Sequence, residues 1–409
     1  MNYTAEEIMQ YCEEEDVKFI RLAFCDVYGR QKNISVMPSE LRRAFEQGIG
    51  FDASAVRGFG NEQRSDLLLF PDPDTLSVLP WRPEHGRVVR MFCTIKKPDG
   101  SIFECDTRSL LIKAIADAKE AGLEFSFGSE LEFYLFKLDE HDNPTTIPYD
   151  RAGYMDIAPD DRGENIRRQI CLTLEKMGIL PESSHHEEGP GQNEIDFRYS
   201  DALRAADDAM AFRTVVKTVA HANGLCADFS PKPLADKPGS GYHINLSVKH
   251  DKNHVILPAV MAGIMEHIKA LTVFLDPTEQ SYRRLGSNKA PRFISWSGEN
   301  RSQLIRIPAA EGEYRRAELR SPDPSANPYL AFALLIWAGL DGYKRGLYLP
   351  PVADIDLFSA DESVTSGFET LPRSLEEAKA AALDSSFIKE HLPKRLLDIY
   401  CDQGGGPWN

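Results

Sequence analysis

Four short stretches carry carboxylates and imidazoles at strand spacing. In Gly128–Phe136, Glu130 and Glu132 are two residues apart, so a β-strand sends both to one face about 7 Å apart. Leu131 and Phe133 then point the other way. Glu187 and Glu194 flank Gly189-Pro190-Gly191, a turn that lets them face each other across a hairpin mouth. Like charges placed so repel unless a cation lies between them. His185 and His186, just before, read as hydrogen-bonding residues rather than ligands. In Gly239–Val248, His243, Asn245 and Ser247 share one face, with Tyr242, Ile244, Leu246 and Val248 behind. The run Ala317–Arg320 puts Glu318 and Arg320 together. Each stretch alone fits a wetted amphipathic strand. Together, five glutamates and one histidine with no thiolate suit Mg²⁺ or Mn²⁺ and argue against a structural zinc. Six donors overfill one ion that also holds water and phosphate, so two ions per site are expected.

Residues 281–320 reverse the charge of the chain. They hold nine Lys/Arg against four Asp/Glu, net +5, within a protein of net charge −16. Eight of the nine are arginine, whose planar fork grips carboxylate and phosphate with two bonds. Neither a Walker A loop nor a dinucleotide glycine fingerprint occurs, so metals and arginines must hold any nucleotide phosphates.

Elements that could position these groups are legible. Thr4 and Glu7 form a capping box before a first helix. Strands are expected at 19–24 and 33–37, a helix over 39–47, a turn at Pro71–Asp74, and a hairpin from Arg87–Lys97 to Ile102–Glu104. Beyond a boundary near Asp106, helices at about 107–121, 161–177, 201–223, 256–275 and 327–345 alternate with strands at about 124–136, 183–188, 194–199 and 241–248. Hairpin-length turns between strands favour α+β with an antiparallel sheet over a doubly wound one. Gly404–Asn409 reads as a loose tail.

Composition excludes several classes. The acidic surface disfavours nucleic acid and anionic membrane. The most apolar stretch, Pro328–Leu340, is too short to span a bilayer and reads as a buried helix. Residues 1–10 lack the basic, apolar pattern of a signal peptide. Seven scattered cysteines with no Cys-x-x-Cys pair point to reduced thiols and a cytoplasmic protein.

In this order, Phe51–Phe59, Gly128–Phe136, His185–Phe197, Gly239–Ser247, Asn300–Pro308 and Glu318–Pro328 resemble type I glutamine synthetases of the short, non-adenylylated form. The resemblance runs from Phe19 to Leu397. It implies a small N-terminal β-grasp-like domain (1–105) and a catalytic domain (106–409) with a curved antiparallel sheet flanked by helices. It also implies that Glu132, Glu187 and Glu194 hold the ion on the amino-acid side, and Glu130, His243 and Glu318 the ion on the ATP side. Glu182, Tyr199, Ser247, Arg301, Arg306 and Arg316 match ATP-contacting positions, Arg301 with a catalytic part. Gly239, Arg284 and Arg320 match glutamate-binding positions, and Asp52 the carboxylate that takes a proton from ammonium, with Tyr154 lining that pocket. The implied reaction joins L-glutamate and ammonium through γ-glutamyl phosphate with ATP as substrate. The implied assembly is a homo-oligomeric hexameric ring, stacked to a dodecamer, whose sites are completed by the neighbour's Asp52.

Departures cluster on the amine side. Lys289 stands where the family's flap usually has glutamate, and is expected to repel ammonium or to pair with Asp52. Asp52-Ala53-Ser54-Ala55 replaces the usual Asp-Gly-Ser-Ser, and Pro238 replaces an asparagine. The C-terminal end looks short of the inter-ring strap, and Asp354–Phe358 has no tyrosine to adenylylate. Two other functions are compatible with these changes: a γ-glutamyl ligase for a larger amine such as a polyamine, and a weakly catalytic regulatory or structural ring.

Overall fold

The computed structural model describes residues 3–60, 63, 65–82, 84–250, 256–308 and 316–402. The expected tail, Gly404–Asn409, and Glu311, Glu313 and Arg315 of the basic segment lie outside the described residues. The capping box forms as read: Glu7 N–H donates to Thr4 Oγ1 (3.2 Å) and Thr4 N–H to Glu7 Oε2 (2.7 Å), opening α1 (Ala5–Glu14). The helix expected over 39–47 starts as a 3₁₀ turn at Pro38–Glu40 and continues as α2 (Leu41–Glu46).

The first sheet contains β1 (Val17–Cys25), β2 (Gln31–Val36), β3 (Ile49–Asp52), β4 (Asp66–Pro71), β5 (Ser77–Val78) and β6 (Arg87–Lys96). Its order is β2-β1-β6-β4-β3, with β5 on β6. The β1–β6 pair is parallel. The hairpin expected after β6 survives as a single bridge between Lys96 and Ile102.

The second sheet positions the chemistry. It contains β7 (Leu123–Leu138), β8 (Pro144–Pro148), β9 (Pro181–His186), β10 (Gln192–Asp201), β11 (Leu225–Asp228), β12 (Tyr242–His250), β13 (Trp296–Ser297), β14 (Ile305–Arg306) and β15 (Ala317–Leu319). The order is β13-β14-β15-β12-β7-β10-β9, with β8 and β11 also on β7. All pairs are antiparallel, as expected, except the two-residue β13–β14 pair.

Helices α3 (Thr107–Glu120), α4 (Glu164–Lys176), α5 (Ala202–Ala222), α6 (Leu257–Leu275) and α8 (Pro328–Arg345) follow the expected order; α7 (Glu279–Arg284) and four short helices between Glu362 and Cys401 are additional to those expected. The apolar face of β7 packs on them. Phe127 stacks on Phe332 of α8 at 4.2 Å, and Phe133 meets Phe212 of α5 at 6.3 Å between ring centres. That one-sided burial is why β7 alternates as far as Phe133, the core fixing one set of side chains and leaving the other for the site, whereas beyond it Tyr134 and Phe136 are buried as well. By length and composition α6 could cross a membrane, yet most of it is buried, and it packs closely on α8. A Cβ on Gly263 of α6 would lie 2.2 Å from Ala338 O, and one on Gly342 of α8 would lie 2.2 Å from Ala259 O. Only glycine at these two positions allows that approach.

Buried polar groups join the first sheet to the helices. Asn327 Oδ1 accepts from Tyr329 N–H (3.1 Å) at the start of α8, while its Nδ2 donates to Val27 O (3.0 Å) and Thr107 Oγ1 (3.0 Å). Arg108 bridges Asp72 (2.8 Å) and Asp207 (2.9 Å).

Candidate active site

Sheet register arranges the acidic face in rows. His185, Glu194 and Glu132 lie directly opposite one another across β9, β10 and β7. Asp196, Glu130 and His243 form the next row across β10, β7 and β12, and Asn245, Glu318 and Arg306 a third across β12, β15 and β14. Directly paired residues have Cβ atoms about 4.5–5.5 Å apart, so carboxylates meet that solvent would otherwise keep separate. The expected confrontation of Glu187 and Glu194 takes a different form. Glu187 N–H donates to Gln192 O (2.9 Å), so Glu194 faces His185, and Glu187 reaches the face one step further along the strand.

A cavity of about 500 Å³ opens over these rows. Glu130, Glu132, Tyr154, Glu187, Glu194, Gly239, His243, Arg284, Lys289, Arg301, Arg306, Arg316 and Arg320 all line it. A smaller cavity of about 170 Å³ contains Glu182, Tyr199 and Ser247 and shares Glu130, Asp196 and Arg316 with the first. Of the six residues read as ATP-contacting, Glu182, Tyr199 and Ser247 lie in the smaller cavity, Arg316 on the shared border, and Arg301 and Arg306 in the larger cavity. Glu318, fully buried, sits behind that border. Asp52 lines neither cavity; it is exposed and accepts from Ser54 N–H (2.9 Å) and Oγ (2.6 Å), bonds that hold its pKa below the usual value. Lys289 does not meet Asp52 in this chain but pairs with Glu188 (2.5 Å).

Charge is distributed unevenly along the face. Burial pushes Glu318 up, but Arg320, His243 and Arg306 outweigh it and hold its carboxyl at about 2. Arg306 Nε donates to Glu318 Oε2 at 2.5 Å, and Arg320 binds the other oxygen. Towards β9, among the described residues, Arg284 offsets part of the charge at Glu132, and no arginine is paired with Glu194 or Asp196. Burial raises Glu194 well above the usual carboxylate range, and Glu132, Asp196, Glu130 and Glu187 add to the effect. Burial and Glu130 push Asp196 up to about 6. Burial also raises Glu132, while His185 keeps Glu187 low despite its burial.

This face fits divalent cations. Glu130, His243 and Glu318 offer three ligand atoms within 4.8 Å of one another, and so do His185, Glu187 and Glu194. Glu132 is outside both triads: its Oε2 accepts from Gly241 N–H (2.9 Å) and Gln192 Nε2 (2.9 Å), though it lines the same cavity. Asp196 Oδ1 and Asn245 Oδ1 are buried acceptors without a donor, and Arg320 Nε is a buried donor without an acceptor. Hard oxygen donors short of positive charge suit Mg²⁺ or Mn²⁺. A Cβ on Gly241 would come within 3.1 Å of Glu132 Oε1, His243 Nε2 and Arg284 Nη2, so its glycine keeps that cradle open.

Three participants escaped the sequence reading. Gln192 and Asp196 share the β10 face with Glu194 by strand period, a signal that was present. Glu188 gave none, because its place in the turn after β9 depends on the loop path.

The comparisons agree with this geometry. The chain matches the family profile for the glutamine synthetase catalytic domain over residues 104–404, and that for the glutamine synthetase β-grasp domain over residues 16–98. Glutamine synthetase of Clostridium saccharobutylicum is 42% identical over 422 residues, covering 100% of this chain and 95% of that one. That of Methanosarcina mazei is 42% identical over 412 residues, covering 97% and 92%. Among solved structures, a GmaS/ADP complex superposes with a TM-score of 0.87 at 29% identity, covering 97% and 93% of the two chains. The cryoEM structure of Plasmodium falciparum glutamine synthetase, at 22% identity and a TM-score of 0.85 over 98% and 94%, shares the fold. A two-cavity acidic face, both family domains and full-length relatives at this identity leave one assignment: the chain belongs to the glutamine synthetase family.

Proposed function

We propose that the protein makes glutamine from L-glutamate and ammonium, using ATP, through γ-glutamyl phosphate. The observation that carries this reading is the shared border at Glu130, Asp196 and Arg316, where the smaller hollow adjoins the larger cavity. Glu182, Tyr199 and Ser247 hold ATP on one side, while Gly239, Arg284 and Arg320 hold glutamate on the other. Arg320 directs its unpartnered Nε to the substrate carboxylate. Glu130, His243 and Glu318, and Glu132, Glu187 and Glu194, hold two Mg²⁺ or Mn²⁺ ions, which neutralise phosphate charge when bound. Arg301, Arg306 and Arg316 line the path of the γ-phosphate, where cationic side chains stabilise the charge of in-line transfer. The glutamate carboxylate attacks phosphorus, ADP leaves, and ammonia then displaces phosphate from the acyl carbon. The proton of ammonium goes to the carboxylate of Asp52, whose Ser54 bonds keep it ionised.

Asp52 is exposed and outside the cavities of its own chain, which supports a ring in which it serves the neighbour's site. We assign a hexameric ring, stacked to a dodecamer, and a division of the chain into 1–105 and 106–409. The two family profiles, which meet between residues 98 and 104, support that boundary. Seven free cysteines support a reducing, cytoplasmic setting. A second reading, ligation of a larger amine, draws on Ala55 and Lys289 at the amine side. The test is ATP-dependent phosphate release with glutamate and ammonium, beside a panel of amines. Release of phosphate and glutamine with ammonium is expected; release only with a larger amine replaces the acceptor, and no release with any overturns the ligase reading.

A further inference from the structure

The cavity lip already holds a primary ammonium. Lys289 Nζ lies 2.5 Å from Glu188 Oε1 and 5.4 Å from the centre of the Tyr154 ring. The Tyr154 ring stands edge-on to His185 at 5.4 Å, and His185 binds Glu187 (3.1 Å). A carboxylate beside an aromatic face is a recognition corner for a cation, and here the chain fills it with its own. The turn that carries Lys289 is braced. Ser287 N–H donates to Arg284 O (2.9 Å), Ala290 N–H to Ser287 O (3.1 Å), and Lys232 Nζ to Asn288 Oδ1 (3.3 Å). Lys289 therefore reaches the corner from a fixed base, and the pair links the flap to the β9–β10 turn.

We propose that Lys289 is a built-in competitor of the acceptor amine: its ammonium occupies a cation subsite made by Glu188 and Tyr154, and a cationic acceptor must displace it. The Lys289–Glu188 pair then sets acceptor affinity. This inference rests on the ligase reading above. Both partners are part-exposed, so the pair is weak enough to exchange. A cationic acceptor contends with Lys289 by charge, whereas hydroxylamine, uncharged at neutral pH, does not. Ammonium first gives a proton to Asp52, whereas hydroxylamine is already neutral; each then attacks the same acyl carbon, a C–N bond forms, the C–O bond to phosphate breaks, phosphate leaves with the electron pair, and the attacking nitrogen loses one proton.

The experiment measures kcat/KM for ammonium and for hydroxylamine and takes their ratio. Lys289→Met should raise the ammonium-to-hydroxylamine ratio about five- to twentyfold, the scale of an exposed ion pair plus a cation–π contact. Lys289→Arg should restore a ratio near that of the wild type. In a Glu188→Gln background, where the ion pair is gone and only the Tyr154 ring faces the lysine, Lys289→Met should change the ratio by less than about twofold. An unchanged ratio in Lys289→Met, or the same shift in both backgrounds, overturns the proposal. If the wild type forms product with neither nucleophile, the ligase reading itself falls, and the competitor with it.

Discussion

Glu318 shows how much one side chain can hold. It is fully buried, its two oxygens are taken by Arg306 and Arg320, and its ligand atom lies within reach of His243 and Glu130. Glu318→Ala removes a donor from the ATP-side triad and leaves two arginines facing no anion, a change that costs stability as well as binding. Calorimetric titration of the folded variant should show nucleotide affinity falling on the order of a hundredfold, with a smaller loss for glutamate. Equal losses would remove the two-ion assignment. Arg320→Lys keeps the charge but loses the planar fork, and with it either the Glu318 bond or the free Nε. Its glutamate KM should rise about tenfold or more, read from steady-state kinetics; a wild-type KM would misplace the glutamate subsite. At this scale the sequence announced residue types but not partners. Lys289 stood out at once by charge, yet its partner Glu188 lies in a neighbouring turn, where no periodicity applies.

Strand period and apolar alternation made β7, β10 and β12 readable, since one face of each had to meet the core, while the largely exposed β9 showed only through the Gly189-Pro190-Gly191 turn that follows it. What they could not reveal was register. The opposition of Glu194 with Glu132, and of Glu130 with His243, depends on how the strands slide against one another. The parallel β1–β6 pair was hidden for the same reason: its partners are far apart in sequence. Helices α3, α5, α6 and α8 were legible from their length and apolar content, but the closeness of α6 and α8 was not. Gly263→Ala would press a methyl into the backbone of α8. It should destabilise the fold by about 1–3 kcal/mol, measured by urea unfolding, and more if the helices cannot separate. Unaltered stability would mean that the two helices can part without loss.

For the whole molecule, family membership and fold follow from matches that cover nearly the full chain, and the proposed assembly draws on where Asp52 sits. Asp52 caps a short turn at the exposed end of β3 and lines neither of the two cavities. In the proposed ring, one chain carries two halves that belong to different sites. A Glu318→Ala chain still has an intact Asp52 to lend, and an Asp52→Asn chain still has an intact acidic face. Purified separately, each variant should be inactive. Unfolded together and reassembled at equal amounts, they should regain activity, because about a quarter of the junctions in a randomly mixed ring join two sound halves. A mixture as inactive as its components would place both halves of a site in the same chain. In genetic terms, two null alleles of this gene that each spoil a different half should complement each other, whereas a copy defective in both halves should spoil two sites, one on each side of it.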